Sequence, residues 1–201
     1  GKMQIKALIF DFGGVLMRTV DQTPRRHWEI SYGLPKLGLA KLVFDNPVAM
    51  QATIGDAQSS DVWDYVGLEL GLSNSELTDL ESDFWKGDKI NIELMDYIGT
   101  HGGTYRTCIL SNAWPDARNL FNSLTELKLF EEIIVSAEVG IAKPDSRIFL
   151  HACDQIGVAA SNIVFVDDMV ENVNAAIDIG MHGILFENTE QTLTDLHKIV
   201  G

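Results

Sequence analysis

At 201 residues, 46% hydrophobic and 22% charged, the chain has the makeup of one globular domain, or of a core carrying a smaller insert. Its net charge of −14, from 29 acidic against 15 basic residues, argues against a broad nucleic-acid or anionic-membrane surface, since both need clustered Lys and Arg. No run approaches the ~18–20 apolar residues of a membrane-spanning helix, and the short lead from Met3 to the first strand leaves no room for a secretory signal, so a cytoplasmic location is expected.

In chain order, Ala7 to Phe10 is an apolar run suited to a strand buried on both faces of a parallel sheet. Asp11 and then Gly13-Gly14 follow at once. A carboxylate at the end of such a strand is costly unless paired, hydrogen-bonded or metal-bound. The ordinary alternative is an Asx-turn. Between Arg18 and Glu93 no buried strand is evident, only helical patches separated by breakers such as Leu34-Pro35 and Asn46-Pro47. Val62, Trp63, Val66 and Leu70 make one amphipathic helix, with Gly71 at its end, and Ser73 with Glu76 forms a capping box for the next. Residues 17–90 therefore read as an inserted helical cap, and residues 1–16 with 91–201 as the core.

The core continues with a helix over Ile92 to Ile98, a strand at Thr107 to Leu110, and a helix from about Asp116 to Leu124. A strand at Glu132 to Ser136 and a helix opened by Lys143-Pro144-Asp145 come next, then a strand at Asn162 to Val166. A helix around Val173 and Ala176, a strand at His182 to Phe186 and a terminal helix complete the pattern. This alternation predicts a doubly wound, parallel α/β sheet. The two cysteines, Cys108 and Cys153, belong to no metal-spaced cluster and read as buried thiols.

Asp11, Ser111-Asn112, Lys143 and Asp167-Asp168 each fall just after a buried strand or at the following helix start. In a parallel sheet those ends share one edge, where ligands bind. Carboxylates there suit a hard cation such as Mg²⁺, Lys and the cation neutralise phosphate oxygens, Ser and Asn donate hydrogen bonds, and one Asp can attack.

With these motifs in order (F-D-F-G-G-V-L, L-S-N-A, K-P-D-S-R-I-F and F-V-D-D-M-V-E-N-V-N-A-A), the sequence resembles the haloacid dehalogenase-like (HAD) hydrolase superfamily. The likeness is to its helical-cap subgroup, with sugar-phosphate phosphatases and the phosphatase half of epoxide hydrolases. It implies a Rossmann-like core and a Mg²⁺-dependent phosphomonoester hydrolase, with Asp11 as nucleophile forming a phosphoaspartyl intermediate. It further implies metal binding by Asp11, the Gly13 carbonyl and Asp168, and phosphate binding by Ser111, Asn112 and Lys143. Asp167 and Asn172 support these groups, and Trp114 is the candidate for touching substrate. The expected substrate is a small phosphorylated metabolite such as a sugar phosphate, and the expected state a monomer or homodimer.

One departure stands out: Gly13 occupies the position where phosphatases carry a second Asp as general acid. Its loss points to esters with better leaving groups, to a substitute acid such as His27 or Asp116, or to a weakly catalytic or non-catalytic binding protein. A 2-haloacid dehalogenase is a further alternative, against which the Asp167-Asp168 pair argues. Arg25, Arg26, His27, Trp28 and Trp63 are cap-lining candidates, with packing favoured for the aromatic residues.

Overall fold

The computed structural model describes residues 4–200, so the lead at Met3 lies outside the described residues. Five strands form the main sheet: β1 (Ala7–Phe10), β4 (Arg106–Ser111), β5 (Glu132–Val135), β6 (Ile163–Asp167) and β7 (His182–Leu185). All neighbours are parallel, in the order β5-β4-β1-β6-β7. β1 is central, and the chain crosses from one side of it to the other between β5 and β6, the switch point at which open α/β sheets place ligands.

Period-two alternation divides each strand between two cores. Leu8, Phe10, Ile109, Val164 and Val166 face one side, where they pack with α6 (Ile92–His101), α7 (Ala117–Ser123) and α11 (Thr189–Val200). Ala7, Ile9, Cys108, Leu110 and Phe165 face the other, against α9 (Ser146–Ile156) and α10 (Val170–Asp178). With helices on both faces the strands need no polar side, which is why they read as continuous apolar runs.

Between β1 and α6 lie five helices: α1 (Thr23–Ser31), α2 (Gly38–Phe44), α3 (Pro47–Thr53), α4 (Ser59–Leu70) and α5 (Asn74–Phe84). They enclose an apolar cluster of their own, with Leu39, Val43, Trp63, Val66, Leu80 and Phe84 buried. Gly71 ends α4 in the left-handed conformation (φ 67°), and the Ser73–Glu76 capping box starts α5, as the sequence predicts. The sequence reading missed one feature of this region. β2 (Met17–Thr19) and β3 (Asp88–Ile90) pair antiparallel where the chain enters and leaves the insert. A second correction concerns Cys153, which is half-buried, while Cys108 is fully buried.

A second junction ties the insert to the sheet. The Ser136 hydroxyl, at the start of α8 (Ser136–Val139), donates to the Thr53 carbonyl at 2.6 Å and accepts from the Ala113 N–H at 3.0 Å. The end of α3, the loop after β4 and the end of β5 thus meet on one buried hydroxyl.

Candidate active site

Asp11 leaves β1 with its backbone still in register, its N–H donating to the Val166 carbonyl at 2.9 Å. Its carboxylate is buried, and Oδ1 accepts from the Phe12 N–H at 2.8 Å and from Lys143 Nζ at 2.9 Å. The Lys143 ammonium also donates to Asp167 Oδ2 at 2.8 Å and to the Leu110 carbonyl at 2.7 Å, so its three protons are all engaged. Asp167 is fully buried, takes the Met169 N–H on Oδ1 at 2.8 Å and receives the Asn172 amide on Oδ2 at 3.2 Å. Asp11 and Asp167 sit at strand ends, Lys143 in the loop between α8 and α9, and Asn172 in the first turn of α10.

Asp168 is the exposed member of the cluster, and carboxylate oxygens of Asp11, Asp167 and Asp168 lie within 4.8 Å of one another. Three converging carboxylates with one buried ammonium leave a surplus of negative charge, and oxygen donors in that arrangement fit a hard divalent cation. Burial raises the Asp11 pKa; Asp167 and Asp168 add to this, Lys143 opposes it, and the result is about 7. Asp168 is also raised, by burial and then by Asp167. Burial alone would lower Lys143, but its two carboxylate partners outweigh that and hold it above the usual lysine value.

The glycine pair separates into two different roles. A Cβ built on Gly13 meets nothing within 4 Å, so this position opens onto free space. On Gly14, at φ +85°, a Cβ would stand 2.2 Å from Asp168 Oδ2. Only glycine lets the turn pass beneath that carboxylate in this conformation. Gly14 was not among the expected site residues; the Gly-Gly pair signalled a turn and gave no sign of which glycine it required.

Ser111 ends β4 and is buried. The Asn112 side chain grips the backbone of Lys143 from both sides, donating to its carbonyl at 3.0 Å and accepting from its N–H at 2.9 Å. It therefore fixes the chain from which the lysine projects. Trp114 is half-buried and packs into the insert, its ring 5.8 Å from Phe44 and 6.4 Å from Trp63.

The cap-lining expectation needs correction for Arg25, whereas Trp63 takes the packing role favoured for the aromatic residues. Arg25 is buried, donating to the Phe84 carbonyl at 2.8 Å and to Asp88 at 3.1 Å. Trp28 donates to Asp83 at 2.8 Å, Arg26 pairs with Glu29 at 3.3 Å, and Trp63 is buried. Of the two substitute acids considered, His27 is exposed on α1 and Asp116 accepts from the Ser59 hydroxyl.

The likeness to known proteins agrees with this geometry. The sesquiterpene phosphatase astK of Aspergillus oryzae is 30% identical over 200 residues, covering 98% of this chain and 97% of that protein. The bifunctional epoxide hydrolase 2 of Mus musculus is 33% identical over 102 residues, 48% of this chain and 18% of that protein. A HAD family enzyme from Bacteroides thetaiotaomicron, solved in complex with magnesium and inorganic phosphate, shares the fold with a TM-score of 0.74 at 20% identity, over 94% of this chain and 98% of that one. A sequence model of the haloacid dehalogenase-like hydrolases matches residues 5–180, and the chain belongs to that family.

Proposed function

We propose that this hydrolase is a Mg²⁺-dependent phosphomonoesterase in which Asp11 attacks phosphorus and water then cleaves the aspartyl phosphate. The observation that carries the reading is the Lys143 ammonium held between Asp11 and Asp167, with Asp168 beside them, at the sheet edge. The phosphatase relative over the full chain length supports it. Asp11 Oδ1 is held by Lys143 and the Phe12 N–H, which leaves Oδ2 as the attacking oxygen. Lys143 orients the nucleophile and offsets charge on the transferred oxygens, while Ser111 and the Asn112 N–H stand at the adjoining strand end to receive them. Asp11, Asp168 and the Gly13 carbonyl would hold the metal, which when bound neutralises nucleophile and phosphate. Asp167 keeps the lysine charged and in place. The substrate is a small phosphorylated metabolite.

The open space at Gly13 carries no proton donor for the leaving alcohol, so turnover is to depend on leaving-group quality. In this reading residues 17–90 form the cap and residues 1–16 with 91–201 the catalytic core. Phosphate release from a panel of phosphomonoesters, including sugar 1-phosphates and 6-phosphates, tests the reading when run with Mg²⁺ and with EDTA. Metal-dependent release that Asp11→Asn abolishes is the expected result. Release that survives EDTA or that substitution overturns it.

A further inference from the structure

The insert presents two adjoining exposed aromatic rings that meet, through Trp114, the loop after β4. Phe44, at the end of α2, and Trp85, just after α5, pack ring on ring at 6.2 Å, yet they remain 49% and 43% exposed. Phe84 and Trp63, which they touch at 4.8 to 6.3 Å, are buried, so packing already has its own aromatic residues without these two outer rings. Trp114 links the pair to the site: it lies on the loop that leaves Ser111 and Asn112, and its ring meets Phe44 at 5.8 Å. Adjoining large rings left half in water are an apolar binding surface rather than a core.

The buried polar side chains of the insert are committed to its own packing. Arg25 is tied to Asp88 and Phe84, Trp28 to Asp83, Glu29 to the Leu39 N–H at 3.0 Å, and Asn46 to the Leu42 and Val43 carbonyls and the Ala49 N–H. Recognising a sugar takes donors and acceptors aimed at its hydroxyls, and a site that leaves those hydroxyls unpaired discriminates against them.

We infer that Phe44, Trp85 and Trp114 form a shelf for the apolar part of the substrate, so that the ester cleaved is the phosphate of an apolar alcohol in preference to a sugar phosphate. This rests on the phosphomonoesterase reading for the position of the phosphate. The phosphoryl group sits at the strand ends and the hydrocarbon lies outward across the rings. Burying a methylene fully is worth about a fourfold gain, and on an open shelf about twofold.

The test uses n-alkyl phosphates from methyl to decyl beside glucose 1-phosphate and 6-phosphate, with kcat/KM measured for the native protein, Phe44→Ala and Trp85→Gln. Hydrolysis-resistant alkyl phosphonates report binding by calorimetry, and circular dichroism checks that each variant is folded. The native kcat/KM is expected to rise at least about tenfold between butyl and decyl phosphate, with both folded variants flattening the decyl-to-methyl ratio. A flat series, a preference for glucose 6-phosphate over decyl phosphate, or a ratio unchanged in both variants would overturn the shelf. Phosphonate affinity that grows with chain length through Phe44, without hydrolysis of any ester, would leave the shelf standing and refute the phosphatase. If one variant does not fold, the other and the native series decide.

Discussion

Gly13 and Gly14 are neighbours with the same side chain, and the structure predicts opposite consequences for giving each a methyl group. On Gly14 the new Cβ would lie 2.2 Å from Asp168 Oδ2 and 2.7 Å from its Cγ. Ordinary carbon–oxygen contact requires the carboxylate to retreat by about 1 Å. The backbone adds its own cost, since alanine at φ +85° is disfavoured by about 1–2 kcal/mol. Gly14→Ala is therefore expected to lower the melting temperature by about 2–8 °C. Displacing Asp168 from Asp11 by this distance should reduce kcat/KM by about 10²-fold and weaken Mg²⁺ binding with it. Gly13→Ala meets nothing within 4 Å and should leave melting and metal affinity close to native. Phosphate release, thermal melting and Mg²⁺ titration calorimetry on the two variants give the comparison. Native turnover and metal affinity in Gly14→Ala, or equal damage from Gly13→Ala, would refute the steric reasoning.

Lys143→Met leaves Asp11 and Asp167 buried without their cation, and in EDTA a stability loss of about 3–5 kcal/mol is expected by chemical denaturation. Loss below 1 kcal/mol would show that the carboxylates relax at little cost. The raised Asp11 pKa, about 7 against 3.8, means that the folded metal-free protein keeps a proton which the unfolded chain has released. Stability in EDTA should therefore fall as pH rises from about 4 to 7, and Asp11→Asn should flatten that slope; an unchanged slope would contradict the assignment. Ser136→Ala strands the Thr53 carbonyl and the Ala113 N–H, at about 1–3 kcal/mol. Hydrogen exchange should then quicken in α3, and unaltered exchange there would deny Ser136 its bridging role. Gly13→Asp places a carboxyl in open space and should accelerate esters of poor leaving groups most; a uniform effect across leaving groups would count against the missing-acid argument.

How much of this the sequence disclosed depends on the range over which each residue acts. Ala7 to Phe10 announces itself because a strand covered on both faces must be apolar at every position, a purely local requirement. The convergence of Asp11 and Asp167 follows from the parallel topology and the strand ends, while Lys143 reaches them from the loop that opens α9. Gly14 could not be separated from Gly13, because its constraint comes from Asp168, far along the chain. β2 and β3 are three residues each, too short for alternation to register, and they pair across the whole insert. Arg25 looked like a binding cation because arginine is seldom buried; its partners Asp88 and the Phe84 carbonyl are invisible until α1 and α5 are packed together. Trp114 illustrates the same limit, for its contact with Phe44 is set by the docking of the insert and not by the loop that carries it.

Asp11 is the group proposed to receive phosphorus. The direct measurement is mass spectrometry of the peptide containing Asp11 after acid quench during turnover of a phosphomonoester with Mg²⁺. A phosphoryl adduct on Asp11 that forms within one turnover and is absent from Asp11→Asn is the predicted result. Turnover with no adduct at Asp11, or an adduct that persists in Asp11→Asn, would contradict it.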